Sequence, residues 1–226
     1  MFITPIGYIK SNFKTKFGVP RQAGMIDNIS YIELCKEYRV ADAFRGLEEF
    51  SHIWLLWEFS KCSDKQWTPT VRPPKLGGNK RMGVFSTRSP FRPNSIGLSS
   101  VKLLSVDFEC ENSPLLCIEG ADLIDGTPIY DIKPYLPYTD CHTDATGGFA
   151  DGVDKTLKKV VFECDKPNDK ILIDNLIKIL SIDPRPSYHD DSEREYGMDF
   201  GDYNIKFKVV DDVVCVTQMK HFVTEY

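Results

Sequence analysis

The sequence contains no apolar run close to the roughly 20 residues that a membrane-spanning helix requires. Its first residues lack a positively charged stretch followed by an apolar core, so the sequence predicts no signal peptide. The seven cysteines are scattered, form no C-x-x-C pair and show no zinc spacing with histidine, which argues against disulfides and structural zinc. We therefore expect a cytoplasmic protein with reduced thiols, no membrane association and no metal.

Several signatures of common enzyme classes are also absent. No G-x-G-x-x-G follows a predicted strand, which argues against a Rossmann cofactor site, and no G-x-x-x-x-G-K-[ST] indicates a P-loop. A G-x-S-x-G nucleophile elbow is missing as well. Metal-capable side chains occur together at His189, Asp190 and Asp191. Adjacent residues rarely converge on one ion, so a solvated loop is favoured over a metal hydrolase.

Positive charge is concentrated in one part of an acidic chain. The chain carries 28 basic and 33 acidic residues. Residues 65–102 hold eight of the basic residues and none of the acidic ones, so the remainder sums to 20 minus 33, or −13. Charges beyond about 8 Å are screened at physiological salt, so a partner responds to the local field. This basic segment, residues 65–102, predicts an anionic partner.

Two stretches combine arginine with residues that restrict or free the backbone. Arg88 and Arg92 lie among prolines in a non-helical stretch, which suits bidentate recognition of phosphate or carboxylate because little entropy is lost on binding. A solvated basic loop is the alternative. Residues 19–24 contain proline, arginine and glycine, and this pattern is compatible with a surface turn or with a loop that cradles a ligand.

Many short strands separated by turns, without long alternating helices, predict a mainly β fold closed into a single-sheet barrel. A helix or helical turn is expected over residues 38–49, and a short strand over residues 82–86. The strands predicted for the barrel cover residues 2–10, 29–34, 50–59, 99–109, 115–123 and 129–135.

A different pattern governs the rest of the chain. A strand is predicted at residues 160–162, and a helix capped at residues 167–169 carries an apolar stripe. Strict alternation over residues 203–209, followed by a turn and a second apolar run, predicts a hairpin. The predicted domains are a β-barrel over residues 1–137, a linker over residues 138–155, and a small α+β domain over residues 156–226.

Several long motifs occur in order along the chain. They are VPRQ at residues 19–22, FSHIW at 50–54, GVFSTRSPFRPN at 83–94, DLIDGTP at 122–128, DIKPY at 131–135 and DPRP at 183–186. Together they resemble the TsaA-like, or TrmO, family of S-adenosylmethionine-dependent tRNA methyltransferases, and the resemblance covers essentially the whole chain. It implies methylation of the N6 nitrogen of N6-threonylcarbamoyladenosine beside the anticodon, with threonine tRNA as the substrate.

The resemblance also implies a barrel unlike the Rossmann methyltransferases and a homodimer with the cofactor near the subunit interface. A lone histidine such as His52 by itself favours a structural role, but the resemblance implies that His52 and residues 19–24 bind a ligand. The S-adenosylmethionine site that it implies consists of Pro20, Arg21, Gln22, His52, Ile53, Arg88, Leu98, Ile124, Asp125, Gly126 and Thr127.

A carbamoyl-substituted nitrogen is a weak nucleophile until its proton is removed, so a general base is expected. The candidates are Asp131, Asp125 and His52, and Asp131 is favoured because a site for a cationic cofactor tends to keep it ionised. A non-enzymatic RNA-binding regulator on the same barrel is the alternative function.

Contacts to tRNA are expected from basic and aromatic side chains, because phosphates and the threonyl carboxylate attract guanidinium and ammonium groups and splayed bases stack on rings. Phe91 and Tyr135 are the candidates for stacking. The predicted tRNA-binding residues are Arg72, Lys75, Lys80, Arg81, Arg92, Lys133 and Tyr135.

Overall fold

A computed structural model describes residues 3–62, 66–76, 80–152, 156–185 and 191–222. Within these ranges, eight strands precede residue 137, and six of them close into an antiparallel barrel. The eight strands are β1 (Gly7–Lys10), β2 (Ile29–Leu34), β3 (His52–Glu58), β4 (Thr70–Val71), β5 (Met82–Gly83), β6 (Ile96–Asp107), β7 (Leu115–Glu119) and β8 (Pro128–Pro134).

The barrel order is β1-β2-β7-β6-β3-β8, while β4 and β5 form a separate two-stranded sheet. Alternate residues of the barrel strands are buried, and Ile53, Leu55 and Trp57 of β3 join the core. Burying one face of each strand fixes the register, because a slip by one residue would turn the apolar side chains outward. The predicted mainly β fold with a single-sheet barrel is confirmed.

The two ends of the barrel differ. β3 runs from His52 at one end to Glu58 at the other. The Glu58 end carries the connections at residues 11–28, 59–95 and 120–127, and we call it the loop end. The opposite end is covered by residues 36–49, a segment that contributes the buried Phe44 to the barrel core.

The sequence predicts a helix or a helical turn over residues 38–49, and the structure contains short helical turns there. Three 3-10 turns occupy residues 36–49: Lys36–Tyr38, Ala41–Phe44 and Leu47–Glu49. The left-handed backbone of Gly46, with φ of 85°, prevents one continuous helix. The predicted strand over residues 82–86 is only partly present, because pairing is limited to β5 and a tight turn at Val84–Ser86 follows.

The later elements form a second sheet with one long helix. The sheet carries β9 at its edge, parallel to its neighbour, and the other pairs are antiparallel. Asp169 caps the long helix by accepting a hydrogen bond from Leu172 N at 2.9 Å, as its sequence predicts. These elements are α1 (Pro137–Asp140), β9 (Lys159–Phe162), α2 (Lys170–Ser181), β10 (Tyr196–Phe200), β11 (Tyr203–Val210) and β12 (Val213–His221).

The predicted α+β character of this part is confirmed, while β10 is not predicted from the sequence. The second core also includes Phe13 and Ile26 from the connection after β1. Phe13 pairs with Phe200 as an isolated bridge, and their ring centroids are 5.4 Å apart. The division into domains at residues 137 and 156 stays a prediction. Within the described ranges, no helix is both long and apolar enough to cross a bilayer.

Candidate active site

At the loop end, residues 11–27 wrap around the turn at residues 120–127. Gly24 N donates to Gly120 O at 2.8 Å, and Asp125 N donates to Phe13 O at 2.8 Å. This backbone pairing brings two of the predicted cofactor-binding stretches together. It also explains why the VPRQ loop keeps a defined position without belonging to a strand.

The basic segment joins this cluster through Arg88. Arg88 Nη1 donates a hydrogen bond to Gln22 Oε1, so the predicted cofactor residues of two distant motifs meet. The positive charge of Arg88 also acts on Asp122. A guanidinium, an amide and a carboxylate therefore converge at the loop end, which is a suitable set for a ligand that carries both charges.

Asp122 lies in this cluster, although it is not among the cofactor-binding residues predicted from the sequence. Its Oδ1 accepts a 2.6 Å hydrogen bond from Ser99 Oγ, and Ser99 Oγ accepts a 3.0 Å hydrogen bond from Trp57 Nε1. Burial raises the pKa of Asp122, against the lowering effects of the Ser99 hydrogen bond and the Arg88 charge. The available signal was its place at the start of the DLIDGTP motif.

Both carboxylate oxygens of Asp125 have partners within the chain. Its Oδ1 accepts from Ser11 N at 3.0 Å, and its Oδ2 forms an ion pair with Lys14 Nζ at 3.0 Å. Burial acts to raise the pKa of Asp125, but these hydrogen bonds and the Lys14 charge leave it lowered. A carboxyl with a lowered pKa is a weak base.

The remaining residues of this turn have structural contacts. Thr127 is buried and donates from Oγ1 to Ile124 O at 2.6 Å, which closes the turn. Gly126 has a φ of 75°, a left-handed conformation that glycine adopts without a steric cost. Among the described residues other than its chain neighbours, no atom lies within 4 Å of the place where a Cβ atom of Gly126 would stand, so a ligand can approach the turn closely there.

Arg21 connects the candidate site to the C-terminal part of the chain. Its Nη2 donates to Arg185 O at 3.0 Å, and Asp183 makes a two-point contact with the Arg185 guanidinium at 2.9 Å. Burial lowers the pKa of Arg21, while the charge of Asp183 acts in the opposite direction. Pro20, which precedes Arg21, is buried and fixes the start of the loop.

His52 and Ile53 lie at the other end of β3. His52 pairs with Lys102 and Leu56 pairs with Leu98, so His52 is about 13 Å along the strand from Leu56 at 3.3 Å per residue. Ile53 is fully buried in the barrel core, so its side chain faces away from solvent. Within one chain, the structure therefore separates the His52 pair from the loop-end cluster.

Asp131 and Leu98 lie in one cross-strand row on the outer face of the barrel. Leu56 pairs with both of them, and Leu98 is 53% exposed. Asp131 Oδ2 forms a 2.8 Å ion pair with Lys133 Nζ, and Oδ1 accepts from Ile132 N at 2.9 Å. Asp131 also borders a groove of about 300 Å³, whose other lining residues are Ile6, Leu34, Tyr38, Val40, Ala43, Phe44, Leu47 and Ile132.

The predicted tRNA-binding residues fall into two groups. Arg72 and Lys80 are exposed, and the exposed Arg81 donates from Nη1 to Thr70 Oγ1 at 3.1 Å. Arg92 is half-buried and donates to the carbonyls of Val84 and Thr87, while Lys133 pairs with Asp131 and Tyr135 packs on Trp54. The side chain of Lys75 lies outside the described part of the structure.

Among the described residues, no group of three His, Cys, Asp or Glu side chains is arranged to hold a metal ion. His189 and Asp190 lie outside the described residues. Asp191 is described, and its Oδ1 accepts a hydrogen bond from Glu193 N at 3.0 Å.

Comparison with known proteins identifies the family. The profile of the tRNA-methyltransferase O N-terminal domain matches residues 8–141, and that of the TrmO C-terminal domain matches residues 155–222. The chain is 41% identical over 217 residues to the Escherichia coli protein named tRNA (adenine(37)-N6)-methyltransferase, covering 91% of this chain and 92% of that protein.

Other relatives agree. A Pseudomonas aeruginosa protein named putative S-adenosylmethionine-dependent methyltransferase RcsF is 37% identical over 213 residues, covering 90% of each chain. The crystal structure of TrmO from Pseudomonas aeruginosa superposes with a TM-score of 0.77 at 30% identity, covering 97% of this chain and 98% of that one. The resemblance found in the sequence is confirmed: the chain belongs to the tRNA-methyltransferase O family.

Proposed function

We propose that this protein is an S-adenosylmethionine-dependent enzyme that methylates N6 of N6-threonylcarbamoyladenosine next to the anticodon of tRNA, with threonine tRNA as the first isoacceptor to test. The supporting observation is the similarity to the Escherichia coli tRNA (adenine(37)-N6)-methyltransferase, which spans nearly the full length of both chains. The enzyme would act in the cytoplasm, where its substrate is found.

The loop-end cluster fits a zwitterionic methyl donor. The exposed Arg88, which Gln22 Oε1 orients by accepting one of its hydrogen bonds, offers donors for a carboxylate, and the half-buried Asp122 offers an acceptor for an ammonium group or a hydroxyl. The backbone of residues 124–127 allows close approach at Gly126. When bound, S-adenosylmethionine supplies an electrophilic methyl group on a sulfonium sulphur.

A homodimer would unite the two separated halves of the predicted cofactor site. Arg21, Gln22 and Arg88 lie at the loop end, whereas His52 begins β3 at the opposite end. Within one chain the two sets lie towards opposite ends of the barrel, and none of the described contacts brings them together. Two copies related by a two-fold axis can do so, because each then offers its His52 end to the loop end of the other.

Asp131 is the proposed general base. Asp125 is less suitable, because its contacts with Ser11 and Lys14 lower its pKa and because its side chain is 30% exposed, against 45% for Asp131. Asp131 Oδ2 contacts Lys133, an exposed side chain that can move, so this oxygen can take the proton from the substrate nitrogen. The same row carries Leu98, which would pack against the apolar part of the donor site.

The exposed Arg72, Lys80 and Arg81 would contact the tRNA backbone. Arg92 would act there mainly by holding the loop, because its guanidinium donates to two carbonyls of residues 84–87. Since phosphate contacts release counterions, tRNA affinity should fall steeply as salt is raised.

The decisive experiment is mass spectrometry of tRNA nucleosides before and after incubation with the protein and S-adenosylmethionine. A gain of one methyl group on threonylcarbamoyladenosine is expected. A matched tRNA that lacks the threonylcarbamoyl group should remain unmodified at that adenosine. Binding of tRNA with no methyl gain would contradict the proposal and revive the alternative of a non-enzymatic regulator, which the names of the relatives do not support.

A further inference from the structure

One aromatic side chain of the basic segment is exposed to an unusual degree. Phe85 is 73% exposed, while its neighbour Val84 is 1% exposed and anchors the turn. Leaving a phenyl ring in water forgoes the gain from burying it, so such a ring is often part of a binding surface. The proposed function gives this residue no task.

The turn around Phe85 is fixed by several hydrogen bonds. Thr87 Oγ1 donates to Val84 O at 2.9 Å, and Arg92 Nη1 donates to Val84 O at 3.2 Å and to Thr87 O at 2.7 Å. The Arg92 guanidinium carbon lies 5.5 Å from the centre of the Phe85 ring. The ring is therefore presented in a restrained position, and a ligand that stacks on it loses little conformational entropy.

The surroundings of Phe85 identify the chemistry of its partner. β5, which immediately precedes the turn, pairs with β4, and the exposed Lys80 and Arg81 lie just before it. Trp67, at 52% exposure, precedes β4 on the same unit. Residues 65–102 carry eight positive charges and no negative one, so the electrostatic field around the ring attracts phosphates. A planar group attached to phosphates, such as a nucleic-acid base, therefore suits both the ring and the charge around it.

We propose that Phe85, with the Arg92 guanidinium beside it, is a stacking platform for an unpaired base of an RNA strand whose phosphates contact Lys80 and Arg81. The inference rests on the proposed function, because tRNA supplies such bases in its anticodon loop. Phe85 is better placed for stacking than the two predicted candidates. Phe91 is partly buried and so offers less of its ring, and Tyr135 already packs on Trp54. Stacking on aromatic rings is the usual way in which proteins hold unstacked bases.

The test uses a synthetic anticodon stem-loop with 2-aminopurine placed in turn at each unpaired position. The fluorescence of the stacking position should be quenched on binding to the full-length wild-type protein. Phe85→Ala should bind roughly 5- to 100-fold more weakly and lose this quenching at saturation. Phe85→Tyr should restore both, because the ring is kept.

Lys80→Ala is the matched control for charge. It should weaken binding and flatten the salt dependence while leaving the quenching at saturation unchanged. Thermal unfolding of each variant reports whether the fold is intact, and Phe85→Leu provides a second variant that keeps an apolar side chain without the ring.

Two results would overturn the platform. The first is that Phe85→Ala and Phe85→Leu bind the stem-loop as tightly as the wild type and quench 2-aminopurine to the same extent. The other is conversion of a dimer to a monomer by Phe85→Ala in analytical ultracentrifugation, which would assign the ring to a subunit contact. If the wild type itself neither binds nor methylates tRNA, the proposed function fails, whereas normal wild-type activity with indifferent Phe85 variants rejects the platform alone.

Discussion

Ser99 Oγ donates a 2.6 Å hydrogen bond to Asp122 Oδ1 and at the same time accepts one of 3.0 Å from the indole of Trp57. The relationship connects the interior of the barrel to the charged cluster at the loop end. It orients the Asp122 carboxylate beside Arg88 by means of buried groups that cannot easily rotate. The orientation of the Asp122 side chain therefore depends on two buried residues of the barrel, Trp57 and Ser99.

Replacing Asp122 by asparagine should separate binding from stability. The variant keeps an acceptor for Ser99 but loses the charge, so S-adenosylmethionine should bind about 10-fold more weakly or worse in calorimetry. Burial raises the folded-state pKa of Asp122, so its favourable contribution to stability is lost as pH rises through that value. Asp122→Asn should therefore gain stability relative to the wild type as pH rises above about 4. A wild-type donor affinity in this variant would exclude Asp122 from the site.

Gly97 tests the packing behind this network. A Cβ atom at Gly97 would overlap the buried indole of Trp57. The centroid of the Trp57 ring lies 4.3 Å from that of the Phe59 ring, so the indole has little room to move. Gly97→Ala should destabilise the protein by about 1–3 kcal/mol through overpacking, measured by urea unfolding. Gly83→Ala, where the nearest atom would be 3.8 Å away, is the matched control and should unfold close to the wild type.

Asp125 should contribute to stability in a pH-dependent way. Despite the opposing effect of burial, its pKa is lowered by Ser11 and Lys14, so the contribution exists above the unfolded-state pKa and is lost as pH falls through the folded-state value. Asp125→Asn should melt at a lower temperature than the wild type at pH 7, and the difference should shrink below about pH 4. A difference that stayed constant with pH would show that the Asp125 charge is not responsible.

Asp131→Asn tests the proposed base. With saturating donor and tRNA, the single-turnover rate should fall by about 10²- to 10⁴-fold while the affinity for both ligands stays near that of the wild type. Asp42→Asn is a suitable control, because Asp42 is an exposed carboxylate that also pairs with a cation, Arg45. An unchanged single-turnover rate in Asp131→Asn would reject the assignment.

Complementation tests whether two subunits build each site. Arg88→Ala and His52→Ala homodimers should each be nearly inactive. If each site takes Arg88 from one subunit and His52 from the other, random mixing leaves one intact site in half of the dimers, and about a quarter of wild-type activity should return. Mixtures that remain inactive, despite proven subunit exchange, would place both residues in one subunit or outside the site.

Local patterns were sufficient for much of the fold. The alternation in β3 and β11 and the Asp169 cap of α2 are short-range signals, and all three are present in the structure. β10 was missed because its sequence, YGMDF, contains glycine and aspartate, which disfavour strands in isolation. Its pairing with β11 supplies the stability that its own residues lack.

The sequence by itself determined the family, the barrel, the second α+β part and the location of the basic segment, because motifs, period and charge are properties of neighbouring residues. Only the tertiary structure decided that Asp122 meets Ser99, 23 residues away, and that Ser99 meets Trp57, 42 residues away. It also placed His52 at the end of β3 opposite to the loop end and joined Phe13 to the second core. These contacts arise from barrel closure and chain wrapping, which bring distant residues together in ways that no local pattern encodes.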